Sequence, residues 1–340
     1  MQKGKKLRII RMLSLCMAFL IFAGLAVSCG KEQKVKPIQG TKQELTVVAD
    51  CGDYDVLYEE LRYVAKNYQD IYEKKYGKDF RYNPELTAEL TSTVLEKLTY
   101  NYAVLSLAKE VGITGEEKEL KESVQSYIES LVEQLGGVSA YKQSLKDYYL
   151  TDHYVRFSTL VDKIETELYH VYTEDLGLIP SKDEEILDFF YNGGCIRTLH
   201  VFVENDEGES VEDNRALAQS VREKALAGES MTSLIGQYSE DYGMTTTKGY
   251  YFTYGEMEED YEEAAMATEI GGVSEVVETK DGFYIIFRLE PEEEQILLNY
   301  QEMKRYYQYS LLNRFITERQ KEMKVTLNET GAELDLASIE

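Results

Sequence analysis

"CIRTLHVFVEN", residues 195–205, is where the character of this chain changes. From about Tyr54 to Tyr191 apolar residues recur at helical spacing, whereas here β-branched and aromatic residues crowd a run of seven or so positions. His200 lies inside that apolar strand, where a buried ionisable ring needs a hydrogen-bond partner, either as a satisfied core residue or as part of a site.

Downstream, helical stretches ("DNRALAQSVREKALAG", "MTSLIGQYS", "DYEEAAMAT") alternate with a glycine-aromatic strand, "KGYYFTYG", and with "SEVVET" and "GFYIIFRLE", the last two joined by "KDG". Mixed elements in so short a segment predict a compact α+β domain over residues 193–291, which Pro291 closes.

Upstream, "NPELTAELTSTVLEKLTYNYAVLSLAKEVGI" opens with Asn83 as N-cap and Pro84 at the first helical position. Val94, Leu98, Tyr102, Leu105 and Ala108 share one face of it. Further helices are predicted in "EKELKESVQSYIESLVEQLGG", in "RFSTLVDKIETELYHVY" and, behind a Ser181–Glu184 capping box, in "PSKDEEILDFFYN". Residues 45–192 therefore read as a helical domain introduced by a short strand, "LTVVADCG". A long helix over 292–325 is expected to return to it, ahead of a polar tail at 326–340.

The N-terminus belongs to neither domain. Residues 1–28 hold five bases and no acid, around the 16-residue apolar run "MLSLCMAFLIFAGLAV". That is an export signal, the run falling below the ~18–20 residues a membrane span requires. "AVSC" at 26–29 resembles the lipobox of bacterial lipoproteins, which implies cleavage before Cys29 and a lipid on its thiol, with residues 29–44 as a tether. The expected location is the extracytoplasmic face of the cell membrane. Cys51 and Cys195 then remain, and their spacing does not say whether they pair.

Composition excludes several functions. With 62 acidic against 37 basic residues the chain repels phosphate backbones, so no nucleic-acid partner is expected. Three histidines and no Cys-x-x-Cys, HExxH or phosphate-cradling glycine loop argue against a metal site or a cofactor.

The order "RTLHVFV", "LAGESMTSLIGQYSED", "KGYYFTYGEMEEDYEEAAM", "GGVSEVVET", "DGFYIIFRL" resembles the parvulin-type peptidyl-prolyl isomerases over residues 195–290. Behind a lipobox and a helical domain, that arrangement is similar to the PrsA-type foldase lipoproteins and the related SurA chaperones. The resemblance implies an α+β fold with a small, mostly antiparallel sheet beside a chaperone-like helical domain. It assigns His200, Asp241 and Tyr284 to the catalytic cluster, and Phe252, Met257 and Tyr261 to the proline pocket. Tyr284 departs from the pattern, because most members have a second histidine there, and Asp260 stands where proline is usual. A phenol can donate to and accept from His200, so Tyr284 is expected in the hydrogen-bond network. The implied function is isomerisation of X-Pro bonds in unfolded or partly folded exported proteins, with no cofactor. The alternatives are a non-catalytic holdase or scaffold built on the same domain, or a ligand-binding lipoprotein, and a homodimer is left open.

Overall fold

The computed structural model describes residues 35–205, 210–244 and 248–340, so the expected export signal and the expected lipid site Cys29 lie outside the described residues. Along the chain run β1 (Val47–Cys51), β2 (Tyr54–Leu57), α1 (Tyr58–Tyr76), α2 (Pro84–Glu110), α3 (Lys118–Gln134), α4 (Val138–Asp147) and α5 (Asp152–His170). Then follow α6 (Asp183–Phe189), β3 (Ile196–Glu204), α7 (Val211–Leu226), α8 (Met231–Tyr238), β4 (Tyr250–Phe252), α9 (Glu259–Ala267), β5 (Val277–Thr279) and β6 (Gly282–Leu289). The last are α10 (Glu293–Glu322), β7 (Val325–Leu327) and α11 (Glu329–Ala332). The fold is α+β, and the chain divides into a helical unit, through Leu176 plus Asn313–Glu340, and a sheet-bearing unit, Gly177–Leu312.

In the helical unit α2 begins as its sequence dictates, the Asn83 side-chain oxygen Oδ1 accepting from the Glu85 amide at 2.9 Å beside Pro84 at the first helical position. Leu90, Val94, Leu98 and Tyr102 on its buried stripe share a core with Leu61, Tyr63 and Val64 of α1. β1 is the centre of a three-stranded antiparallel sheet, β2-β1-β7. Residues 326–340, expected as a polar tail, contribute to β7 and bury Leu336 and Ala337 in that core. So few apolar residues carry no period, and what fixes them is the second edge of β1.

Two adjacent carboxylates, Glu59 and Glu60, are buried where α1 begins. Glu60 accepts from the Leu57 amide at 3.1 Å and from the Tyr102 hydroxyl at 2.8 Å, and burial pushes it up to about 7. Glu59 accepts from the Thr151 hydroxyl at 2.5 Å and pairs with the half-exposed His153 ring.

The sheet-bearing unit is built on an antiparallel sheet of order β4-β3-β6-β5. β3 is buried along nearly its whole length, and its two faces meet different neighbours. Leu199, Val201 and Val203 join Phe283, Ile285 and Phe287 of β6 under Ala218 and Val221 of α7 and Leu234 and Ile235 of α8. The opposite face carries Ile196 and Ile286 against Phe252, Val277, and Tyr261 and Ala265 of α9.

Three expectations change. The Ser181–Glu184 capping box does not form: Lys182 is the N-cap with no side-chain cap, and Asp183 is taken by Tyr300 and Lys304 at 2.6 Å each. Residues 177–192, expected in the helical domain, belong to the sheet-bearing unit. α10 serves that unit as far as Leu312, where Ile296, Tyr300 and Met303 pack on Ile186, Phe190 and Cys195. Only its last turns belong to the helical unit, where Arg319 reaches Ser106 at 2.6 Å and Glu110 at 2.7 Å. Cys51 and Cys195 are both buried and free, one in each unit, and burial pushes their thiols up to about 11 and about 12.

Candidate active site

The period-two alternation of β3 sends Thr198, His200 and Phe202 to the face opposite α7 and α8. Their neighbours across β6 are fixed by register: Thr198 faces Arg288, His200 faces Ile286 and Phe202 faces Tyr284. On its other side β3 pairs with β4 only from Ile196 to Thr198, which leaves the Phe202 backbone free for the segment after α8. That segment uses it, since Phe202 donates to the Ser239 hydroxyl at 3.1 Å and accepts from the Glu240 amide at 2.8 Å. The following residue, Asp241, is thereby delivered to His200.

β4 is placed by a glycine. Gly249 has φ +75°, and a Cβ there would lie 2.3 Å from the Thr198 carbonyl oxygen, so no other residue lets Tyr250 begin the strand beside Thr198.

These elements assemble a hydrogen-bonded chain. Thr198 Oγ1 and Tyr261 Oη are 2.8 Å apart, Tyr261 Oη is 2.9 Å from His200 Nδ1, and His200 Nε2 is 3.1 Å from Asp241 Oδ2. Tyr250 Oη donates to the same Asp241 oxygen at 2.9 Å, and the Gly243 amide donates to Oδ1 at 2.8 Å. An ionised Asp241 only accepts, so Nε2 carries the proton of a neutral imidazole and Nδ1 accepts. Tyr261 must then donate to Nδ1 and accept from Thr198, and every proton in the chain has a fixed direction.

The electrostatics agree with that assignment. Burial pushes His200, 1% exposed, below the usual imidazole range, against the hydrogen bond and charge of Asp241, which favour the protonated ring. Burial raises the Asp241 carboxyl, but hydrogen bonds from His200, the Gly243 amide and Tyr250 outweigh it and hold the group below its ordinary range. The pair is a neutral histidine and a carboxylate. Burial, followed by the charge and hydrogen bond of Asp241, raises Tyr250, which therefore keeps its proton.

Tyr284 stands differently from expectation. Its hydroxyl makes no hydrogen bond to a described residue, because both nitrogens of His200 are taken by Tyr261 and Asp241. The ring instead stacks on Phe202 at 4.4 Å, as a cross-strand pair, and meets His200 and Tyr261 edge-on at 5.0 and 5.1 Å.

The family model for the rotamase, PPIC-type PPIase domain, matches residues 200–290. The chain is PrsA-like and carries a parvulin-type peptidyl-prolyl isomerase domain. Over 281 residues, 78% of this chain and 79% of the relative, it is 24% identical to the foldase protein PrsA of Caldanaerobacter subterraneus subsp. tengcongensis. It is 30% identical to the foldase protein PrsA of a Geobacillus species over 116 residues, 33% of this chain and 39% of that relative. The crystal structure of the peptidylprolyl isomerase PrsA from Bacillus anthracis aligns over 66% of this chain and 96% of its own, at 17% identity and a TM-score of 0.36.

Of the residues singled out in the sequence, His200, Asp241 and Tyr261 of the parvulin-type domain meet in one chain of hydrogen bonds, with Tyr284 against it through ring contacts alone. Phe252, 1% exposed, lies behind Tyr261 in the core rather than at the surface, and Met257 and Tyr284 are half-buried on the same cluster. Tyr261, expected as an apolar wall, uses its hydroxyl as the link between Thr198 and His200. Thr198 and Tyr250 were not anticipated. The signal for Thr198 was its place two residues before His200 on the same strand face, and for Tyr250 the glycine-aromatic strand that pairs with it.

Proposed function

We propose that the parvulin-type domain isomerises X-Pro bonds of exported, unfolded chains at the face lined by Met257, Tyr284, Asp241 and Tyr250. The observation that carries this reading is the fully directed chain Thr198–Tyr261–His200–Asp241–Tyr250 behind half-exposed apolar side chains. Rotation about a prolyl bond faces a barrier of ~18–20 kcal/mol set by amide resonance, and no covalent bond need break. Catalysis therefore requires only that the site bind the twisted amide better than either planar form, each ~1.4 kcal/mol of preference giving tenfold in rate.

Met257 and the Tyr284 ring supply the apolar contact for the pyrrolidine, over the buried Tyr261 and Phe252. The half-buried Tyr250 is the polar group beside this contact, its hydroxyl held by Asp241, whose side chain is 8% exposed. His200, at 1% exposure, acts as a positioning residue: it fixes Asp241 through Nε2 and Tyr261 through Nδ1. A rigid polar floor costs no reorganisation when the amide twists, which is the general advantage of a preorganised site.

The export signal and the "AVSC" sequence support an extracytoplasmic protein tethered to the membrane by lipid on Cys29. Among the described residues no helix is long and apolar enough to cross a membrane. Mass spectrometry of the mature N-terminus tests the anchor, which requires diacylglyceryl-Cys29 as the first residue.

The test of the isomerase reading is a proline-peptide exchange assay on the purified chain and on Met257→Ala. Loss of the Met257 side chain is expected to lower kcat/KM about tenfold, equivalent to ~1.4 kcal/mol of differential binding. Wild-type exchange no faster than in buffer, with suppression of client aggregation intact, overturns the isomerase and leaves the holdase, the reading for which Tyr284 in place of histidine is the supporting observation.

A further inference from the structure

Met257 reaches the site on a loop without a strand partner. Between the end of β4 at Phe252 and the start of α9 at Glu259, no sheet ladder places the chain. Its entry is fixed by Thr253, whose hydroxyl donates to the Gly194 carbonyl oxygen at 2.8 Å and whose amide donates to the Glu256 carboxyl at 3.2 Å. Its middle leans on α10: Gly255 has φ +79°, and a Cβ there would stand 2.8 Å from the Cβ of Ser310.

A third hold comes from α9 itself. The half-buried Glu262 accepts from the Gly255 amide with both oxygens, at 3.0 and 2.9 Å, and from the Met257 amide at 3.5 Å. Burial raises the Glu262 carboxyl, against these amides, which favour its ionised form. Bonds of this charged kind are roughly twice as strong as neutral ones. The preceding residue is Tyr261, whose hydroxyl links Thr198 to His200. Two consecutive residues of α9 therefore hold the two halves of the site, the hydroxyl chain and the loop that bears Met257.

We propose that Glu262 is a positioning residue of the isomerase site: by holding the amides of Gly255 and Met257, it sets where the Met257 side chain stands against the cluster that contains Tyr261. The inference rests on the isomerase reading and deepens it. A proline ring gains only apolar contact from Met257, so the placement of that side chain decides the fit, and a misplacement of about 1 Å costs on the order of a hundredfold in rate where it reaches the reacting group.

The experiment measures kcat and KM by NMR exchange on Ala-Ala-Pro-Phe with the full chain, and reads the Met257 methyl group in methyl-labelled protein. Glu262→Ala should lower kcat/KM about tenfold, and Glu262→Gln, which keeps a neutral oxygen for the same amides, about threefold. In a Met257→Ala background neither should cost more than about twofold, because the group they position is gone. Glu263→Ala, the same loss of charge at the exposed neighbour, should leave the rate unchanged. A carboxylate that only stabilises α9 would instead give losses that multiply with that of Met257→Ala. That result, or full activity in both Glu262 variants, overturns the inference while leaving the isomerase in place. If the wild-type chain exchanges the peptide no faster than buffer, the isomerase reading fails separately, and the Met257 methyl judges the positioning. Its resonance should shift and its order parameter fall in Glu262→Ala while the buried Met303 methyl stays as it was, and an unmoved Met257 methyl overturns the inference. If Glu262→Ala does not fold, Glu262→Gln carries both readings.

Discussion

His200 and His153 each pair with a carboxylate, one in each unit of the chain, yet the two imidazoles titrate in opposite directions. His200 has its side chain 1% exposed beside Asp241, and burial dominates, so the ring is held neutral. His153 has a side chain 51% exposed beside the buried Glu59, and the hydrogen bond to Glu59 dominates, so its protonated form is favoured. A partner of the same type gives a neutral strut in one place and an ion pair in the other. The difference is set by how much water the ring keeps.

The largest effect is expected from physically separating the two pairs. A fragment of residues 177–312 should unfold cooperatively and keep His200 neutral, because it retains Ile186, Phe190, Ile296 and Met303 over Cys195. A fragment of 193–291 removes those four side chains, and at ~1.5–3 kcal/mol per buried apolar side chain it should be less stable by about 6 kcal/mol or more. Chemical denaturation of both fragments measures this, and equal stabilities would show that α6 and α10 are dispensable to the parvulin-type domain.

Next comes substitution of each ring. His200→Ala leaves Tyr261 Oη and the Asp241 carboxylate without their shared partner, and should cost about 2–4 kcal/mol together with most of the isomerase activity. His153→Ala removes a half-exposed partner while Thr151 still serves Glu59, and should cost about 1 kcal/mol or less. Similar losses from the two would break the contrast.

A pH titration sharpens it. Glu60 and Glu165 are raised to about 7 by burial, and His153 is raised through Glu59, so all three bind protons more readily in the folded helical unit than when unfolded. By linkage their contribution is fully present at low pH and is lost as pH rises through the raised folded values, so that unit should gain stability between pH 8 and 5.5. His200 runs the other way: its depressed folded value means the unfolded chain takes up the proton first, and its contribution falls as pH drops below the unfolded ~6.5. Glu256, pushed up to about 8 by burial, opposes it within the sheet-bearing unit, so the readout must be residue-specific. Nitrogen-15 NMR of the rings should place the His153 midpoint above 6.5 and that of His200 below it. The reverse order would refute the assignment of the neutral strut.

How much of this was legible in the sequence follows the same division between pattern and register. The strand around His200, the stripe of α2 and the Asn83 cap could be read because periodicity and local chemistry decide them. The resemblance named His200 and Asp241 together, and the two side chains meet in one hydrogen bond. The hydroxyl chain through Thr198, Tyr261 and Tyr250 was not, because it depends on where α9 crosses the sheet and on the Gly249 turn, neither of which leaves a period. β7 and the buried Leu336 and Ala337 were missed for a related reason, since pairing with β1 involves residues some 280 positions away.

The smallest effect tests the residue whose role the sequence left most open. If the Tyr284 hydroxyl has no partner within the protein, Tyr284→Phe removes nothing from the folded structure and keeps the stack on Phe202, so stability should change by less than about 0.5 kcal/mol. Tyr261→Phe is the same chemical change 5.1 Å away between ring centres, and it strands both the Thr198 hydroxyl and His200 Nδ1 in a buried site. That should cost about 1–3 kcal/mol, the usual consequence of leaving buried polar groups unsatisfied. It should also move the His200 titration, because a ring that no longer accepts from Tyr261 loses the constraint on its tautomer. Thermal unfolding of the two variants, read beside the His200 nitrogen shifts, gives the comparison. Equal costs would mean that the Tyr284 hydroxyl belongs to the chain after all, and a shifted His200 titration in Tyr284→Phe would identify the atom it bonds.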